Sequence, residues 1–99
     1  MIIRIEAAPI NPSDLGVMFS AADMTTAKQS GSDERPVINA DVPAKFMGAV
    51  KKRIGKAIPV GNEGAGTVVA AGSSAAAQAL MGKTVAFIGG GSYRKFLRA

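Results

Sequence analysis

Runs of alternating or continuous apolar residues mark four segments of this chain as strands. Over residues 3–7, apolar side chains alternate with charged ones, which predicts a strand with one buried face. Residues 67–71 and 83–88 are rich in β-branched and apolar side chains, and glycine turns separate them from a last expected strand at 93–97. With only short helices between them, these strands predict a mainly-β fold, either a barrel or a sandwich.

Two short helices are predicted between the strands. Asn11 can cap a helix that has Pro12 at its first position, and apolar residues follow with the spacing i, i+3, i+4. A second helix is expected over residues 75–81, between a pair of serines and a glycine. We expect the first helix to serve packing.

The pattern weakens in the middle of the chain. Residues 28–36 are polar and contain glycine and proline, which predicts a poorly ordered loop. Residues 45–56 could form a short basic helix, although two glycines weaken it, and we expect its charged side chains to be solvated. We interpret residues 20–58 as a basic, loop-like insertion or lid within a single domain spanning residues 1–99.

Composition removes several kinds of chemistry. The 99 residues include no cysteine and no histidine, which excludes disulfides, thiolate nucleophiles, Ser-His catalysis and ordinary zinc sites. The net charge is +5, and five cations lie within residues 45–56 without an acid. With one Tyr, four Phe and no Trp, nucleic-acid binding is disfavoured. The chain has no apolar run long enough for a membrane span and no signal peptide, so no membrane association and a cytoplasmic location are predicted.

Two polar clusters stand beside glycine or proline turns. Gly61, Gly64 and Gly66 open a strand, whereas a dinucleotide fingerprint follows a strand and opens a helix, so close backbone packing explains these glycines better. The pair Asn62-Glu63 between them could satisfy the turn by local hydrogen bonds. The same structural explanation applies to the second cluster, which consists of Asn11, Ser13 and Asp14.

Taken together, these motifs resemble a known family. The stretches Asn11-Pro12-Ser13-Asp14-Leu15, Pro59-Val60-Gly61-Asn62-Glu63-Gly64-Ala65-Gly66-Thr67-Val68-Val69, Gly82-Lys83-Thr84-Val85-Ala86-Phe87 and Gly91-Ser92-Tyr93 occur in this order. They resemble the catalytic domain of medium-chain dehydrogenases/reductases, a GroES-like β-barrel. The branch they look like is the zinc-independent NADPH:quinone oxidoreductases, so the resemblance implies a partial GroES-like barrel here.

The resemblance implies roles for five residues, which we take as the candidate catalytic residues. Zinc-bearing relatives carry a Cys ligand at the position of Asn11 and a His ligand at that of Asn62, so no zinc is expected. Ser13 matches a hydroxyl that relays a proton to the substrate oxygen, and Asp14 and Glu63 match acidic positions that orient the site. Asn11 is also the expected contact for the nicotinamide ring of NADPH. If the resemblance holds, Asn11 and Asn62 should line one cleft, with Asp14 partly buried beside donors.

The chain departs from this family in content. No dinucleotide-binding sequence occurs, and the matched motifs begin and end inside the family's barrel domain. The first hypothesis is therefore a fragment of an NADPH-dependent oxidoreductase for quinones or other carbonyl compounds, inactive alone and without tightly bound NADPH. The alternative is a stand-alone GroES-like module for binding or self-association. In both cases exposed or swapped strands predict a homo-oligomer. A third, weaker hypothesis is an anion or nucleic-acid binder that uses residues 45–56.

Overall fold

The computed structural model describes all 99 residues and consists mainly of strands with short helices, which confirms the predicted mainly-β class. It divides into two compact units, the first formed by Met1–Leu15 with Pro59–Ala99 and the second by Gly16–Ile58. The elements are β1 (Ile2–Ala7), α1 (Pro12–Phe19), β2 (Asp23–Gly31), β3 (Pro36–Asp41), α2 (Met47–Val50), β4 (Glu63–Ala70), α3 (Ala75–Gln78), β5 (Thr84–Ile88) and β6 (Phe96–Arg98).

The first unit is built on a four-stranded antiparallel sheet with the strand order β5-β4-β1-β6. Ile3 of β1 lies opposite Val68 of β4 and Leu97 of β6, and both Ile3 and Val68 are fully buried. The alternation in β1 has the predicted effect in the first part of the strand, where Ile3 is buried, Ile5 is half-buried and Arg4 is exposed, whereas Ala7 at its end is exposed. The outer strands are β5 and β6, so the sheet is open.

Two glycines lie inside β4 rather than in a turn before it, because the strand begins at Glu63. A Cβ on Gly66 would clash with the carbonyl oxygen of Arg4 and lie 2.8 Å from its carbonyl carbon. A Cβ on Gly64 would lie 2.9 Å from the carbonyl oxygen of Ala7. The explanation by close packing is therefore confirmed, with β1 on one side and, at Gly64, also the Phe87 side chain of β5, and the predicted start of this strand at residue 67 is wrong.

The remaining elements of this unit differ in length from the predictions. Helix α3 has its N-cap at Ser74, whose hydroxyl accepts from the Ala77 backbone at 3.3 Å, but it ends at Gln78 rather than at residue 81. Strand β6 begins at Phe96 rather than at residue 93, and the backbone N–H of Tyr93 donates to the carbonyl of Val60 at 3.2 Å.

The second unit corrects the prediction of a loop at residues 28–36. Strands β2 and β3 form an antiparallel hairpin, in which Lys28 pairs with Asn39 and Gly31 pairs with Pro36. The polar composition is compatible with strands because most side chains of this hairpin are exposed. Gly31 has a φ of +81°, and the turn after it is closed by hydrogen bonds between the backbones of Ser32 and Arg35.

The predicted basic helix is a series of three short helical turns. A 3₁₀ turn at Ala44–Phe46 leads into α2, and a second 3₁₀ turn follows at Lys51–Arg53. Lys51 and Lys52 are exposed as expected, whereas Arg53 is half-buried and donates to the carbonyl of Val17 at 3.5 Å. None of the helices is both long and apolar enough to span a membrane.

Candidate functional site

The two polar clusters singled out in the sequence meet in the first unit. Nδ2 of Asn11 donates to Oε1 of Glu63 at 3.0 Å, and Nδ2 of Asn62 donates to Oγ of Ser13 at 2.9 Å. These pairs are separated by 52 and 49 residues along the chain. The start of α1 and the start of β4 are therefore joined by two side-chain hydrogen bonds, and the five predicted residues form one group.

The start of α1 is held by backbone bonds and by Asp14. The backbone N–H of Asp14 donates to the carbonyl of Asn11 at 2.9 Å, and Oδ2 of Asp14 accepts from the backbone N–H of Asn11 at 2.8 Å. This is the carboxylate half of a capping box, with the acid at the third helical position. The side chain of Asn11, which the sequence predicted as the cap, is instead directed to Glu63. The helix start thus leaves the Asn11 amide available for the site.

A glycine turn positions the other cluster. Gly61 has a φ of +97°, and its carbonyl accepts from the backbone N–H of Gly91 at 2.7 Å. A Cβ at residue 61 would clash with Oγ of Ser92 and lie 2.9 Å from the Ser92 nitrogen. Only glycine fits both this conformation and this contact. Because Asn62 and Glu63 follow directly, the loop at residues 89–92 fixes where their side chains begin.

Tyr93 connects this loop to the buried end of the site. Its hydroxyl lies 3.1 Å from Oδ2 of Asp14 and 3.0 Å from the carbonyl oxygen of Pro9, and its single proton can go to either. Desolvation raises the pKa of the Tyr93 phenol above its ordinary value of 10.0, and the hydrogen bond and negative charge of Asp14 raise this pKa further. The phenol therefore stays protonated at neutral pH and can donate to Asp14 or to the Pro9 carbonyl.

The residues of the site differ in burial, with one carboxylate in the interior and the others at the surface. Asp14 is 1% exposed, while Ser13, Asn62 and Glu63 are exposed and Asn11 is half-buried. Oδ1 of Asp14 and Oγ of Ser92 are both buried without a hydrogen-bond partner in the protein. A buried polar atom without a hydrogen-bond partner lowers the stability of the fold. These two atoms therefore distinguish the buried part of the site from an ordinary packed core.

Sequence reasoning missed two residues of this arrangement. Ser92 and Tyr93 belong to a matched motif, but no role was assigned to either of them. The available signal is the position of the one tyrosine of the chain two residues after three consecutive glycines, since the hydroxyl of a packed tyrosine usually has a hydrogen-bond partner. Nothing in its spacing indicated that the partner would be Asp14, which lies 79 residues earlier.

The donors and acceptors suit binding of a polar oxygen. Each asparagine amide uses one N–H in the bonds described and keeps a second, and Ser13 accepts from Asn62 while its own proton is free to be donated. Glu63 offers a carboxylate beside Asn11. The exposed part of the site therefore has several hydrogen-bond donors that are not used within the protein.

No protein-family model matches this chain, and no curated protein matches it either.

Proposed function

We propose that this chain is part of the catalytic domain of a zinc-independent, NADPH-dependent oxidoreductase of the medium-chain dehydrogenase/reductase type, which reduces a quinone or another carbonyl compound. The four-stranded sheet would be one part of a GroES-like barrel. The observation that carries the proposal is the pair of hydrogen bonds Asn11–Glu63 and Asn62–Ser13, since they join two motifs of the resemblance that lie about fifty residues apart.

The proposed role of the site is to bind the oxygen of the substrate. Reduction of a carbonyl places negative charge on its oxygen, and fixed hydrogen-bond donors stabilise that charge. Ser13 would donate its proton toward this oxygen, with Asn11 and Asn62 as the neighbouring donors. Asp14 and Glu63 would hold these groups in place, because Asp14 accepts from the Asn11 backbone and Glu63 from its side chain.

NADPH is the cofactor that the resemblance implies, and it would supply the hydride. These residues do not fit the dinucleotide, because no Gly-x-Gly-x-x-Gly sequence occurs in the chain and α3, the helix that follows β4 after Gly72, has only four residues. The function proposed for these 99 residues is therefore limited to the substrate side, with Asn11 as the candidate contact for the nicotinamide ring. We expect the chain alone to lack micromolar affinity for NADPH, which calorimetric titration would measure.

The test uses the three asparagines of the chain. In a ¹⁵N-labelled sample, titration with tetramethyl-1,4-benzoquinone, whose fully substituted ring resists addition, should shift the side-chain NH₂ signals of Asn11 and Asn62. The signal of Asn39, which donates to Ser30 in the hairpin, is the internal control and should not move. Ser13→Ala should weaken the response, whereas Ser30→Ala should not. Equal shifts at all three amides, or no shift at any of them, would contradict the proposal.

The exposed edges of the sheet favour a second candidate function, self-association without redox chemistry. β5 and β6 each have one unpaired edge, and they carry Ile88 and Phe96, which are 92% and 47% exposed. Such edges can pair with the same edge of a second copy. Sedimentation at several concentrations would test this, with Phe96→Lys expected to shift the equilibrium toward monomer. A monomer at all concentrations would contradict it.

A further inference from the structure

The second unit carries a surface that the proposed oxidoreductase function does not use. Five of the twelve Lys and Arg residues lie in residues 45–56, which we call the basic cluster. The seven cations elsewhere equal the seven acids of the whole chain, so the net charge of +5 is concentrated in this one segment. The members are Lys45, Lys51, Lys52, Arg53 and Lys56.

None of these cations is neutralised by the protein. The one ion pair in the structure joins Arg4 to Glu6, far from the cluster in sequence. All four lysines of the cluster are exposed, and Lys45 lies over the ring of Phe46 at 5.0 Å. Five unpaired charges on twelve residues repel one another, and an anionic surface would relieve that repulsion.

Large apolar side chains are exposed among the same charges. Phe46, Met47 and Ile54 are 46%, 39% and 58% exposed, and Ile58 follows two residues after the cluster at 42%. Only Val50 of this stretch is buried, which anchors the helical turns while leaving the other apolar groups in water. Apolar exposure of this kind distinguishes the cluster from a lysine-rich face that is merely solvated.

The combination of exposed cations and exposed apolar side chains favours one of two classes of anionic partner. A nucleic acid offers phosphates for the lysines but little for Met47, Ile54 and Ile58, and the cluster contains a single aromatic side chain for stacking on bases. An anionic lipid surface offers headgroup charge to the lysines and acyl chains to the apolar groups, which is the basis of interfacial binding. We propose that the basic cluster docks this protein peripherally on an anionic lipid membrane, a mode of binding that requires no membrane span and that replaces the expectation from sequence of no membrane association.

The first experiment measures binding to vesicles. The protein should co-sediment with phosphatidylcholine vesicles that contain about one third phosphatidylserine and should not bind pure phosphatidylcholine. Each cation near such a surface contributes about fivefold to affinity. The double variant Lys51→Glu/Lys52→Glu reverses two charges, so its affinity for the anionic vesicles should fall at least a hundredfold. Raising the salt concentration from 0.05 to 0.5 M should release the wild-type protein from the vesicles.

Two further variants separate the cluster from net charge and from other polyanions. Lys28→Glu/Lys83→Glu makes the same change in net charge at two exposed lysines outside the cluster. It should lower the affinity for the vesicles by less than about fivefold. Ile54→Ser leaves the charge unchanged and should weaken vesicle binding about tenfold, because an exposed apolar group no longer enters the interface. Circular dichroism should show that all variants keep the wild-type fold.

Several results would overturn the proposal. These are absence of binding to the anionic vesicles, equal losses in the two double variants, or no effect of Ile54→Ser. Binding of a single-stranded oligonucleotide with higher affinity than the vesicles, unaffected by Ile54→Ser, would assign the cluster to nucleic acid instead. None of these outcomes depends on the quinone titration, since its readouts lie in the first unit.

Discussion

The two units of this protein are stabilised over very different distances along the chain. In the first unit, side-chain hydrogen bonds such as Asn62–Ser13 and Tyr93–Asp14 join residues 49 and 79 positions apart. In the second unit, Asp23 bonds to Thr25 and Thr26, two and three residues away, and the longest side-chain bond, from Arg53 to the Val17 carbonyl, spans 36 residues. Burial follows the same division, since Ile3 and Val68 are fully buried in the first unit and Val50 is the one buried apolar residue of the second.

This difference shows which residues each unit depends on. A four-stranded sheet with a buried face depends on the few positions where distant strands touch. A two-stranded hairpin with exposed side chains gains little from any single residue, and an isolated hairpin is marginally stable. We therefore expect substitutions in the first unit to be far more costly, and amide hydrogen exchange can follow the strands of each unit separately.

The largest difference in stability between the two units should come from adding one methyl group to a glycine of each. Gly66→Ala places a Cβ against the backbone of Arg4, which cannot move without separating β1 from β4, and should cost roughly 3 kcal/mol. Gly48→Ala in α2 meets open space and removes a helix-weakening residue, so it should be neutral or stabilise by up to about 1 kcal/mol. Exchange of β1 and β4 amides should accelerate only in the first variant, and equal effects would refute the contrast.

Truncation of an apolar strand residue should give the next largest difference. Ile3 is 1% exposed, so Ile3→Ala removes buried methyl groups and should destabilise the sheet by about 3 kcal/mol. Val37 of the hairpin is 48% exposed, and Val37→Ala should cost about 0.5 kcal/mol. Chemical denaturation followed by strand-specific NMR signals measures both. A cost at Val37 similar to that at Ile3 would show that the hairpin has a core of its own.

Removal of a carboxylate charge should have a smaller but still clear effect. Asp14→Asn weakens the charged acceptor for both Tyr93 and the Asn11 backbone and should cost about 2 kcal/mol. Asp41→Asn changes an exposed carboxylate at the end of β3 and should stay within about 0.5 kcal/mol of wild type. The Asn11 side-chain amide signal should shift in the first variant and not in the second. An unchanged Asn11 signal in Asp14→Asn would separate Asp14 from the site.

The smallest expected effect on stability concerns two carboxylates whose pKa is lowered by hydrogen bonds, at Glu6 between strands and at Asp23 within one segment. Hydrogen bonds from Thr67 and then Arg4 lower the pKa of Glu6 below 4.5, and those from the side chain and backbone of Thr25 lower the pKa of Asp23 below 3.8. Thr67→Val and Thr25→Val should each raise the pKa of the matching carboxyl, as measured by NMR titration. Gly66→Ala should raise the pKa of Glu6 alone, because only that bond crosses between strands.

The sign of the resulting pH dependence is the same for both groups. A carboxyl whose pKa is lower in the folded state stabilises the fold above its unfolded pKa, and this contribution is lost as the pH falls through the folded pKa. Stability should therefore decrease below about pH 4.5 in wild type and decrease less in Thr67→Val. An identical acid dependence of the two proteins would contradict the assignment of the Thr67 bond.

The sequence by itself determined the mainly-β class, the strand at β1, the helix at α1 and the serine cap of α3. Each of these follows from local rules, namely alternation over a pleated strand, proline at a helix start and a hydroxyl at an N-cap. It also indicated that Asn11, Ser13, Asp14, Asn62 and Glu63 could act together, but only through resemblance to a family. No local rule brings residues about fifty positions apart into contact.

Tertiary structure decided the rest. The polar residues 28–36 form part of a hairpin because backbone pairing does not require buried side chains, so composition alone predicted a loop. Positions 64 and 66 of β4 require glycine because atoms of the neighbouring strands pass too close for a Cβ, and the Asn11 amide turns to Glu63 while Asp14 holds the backbone at the helix start. In each case the deciding contact comes from a residue whose position depends on the complete arrangement of strands. A local sequence pattern holds no information about which distant residues come into contact.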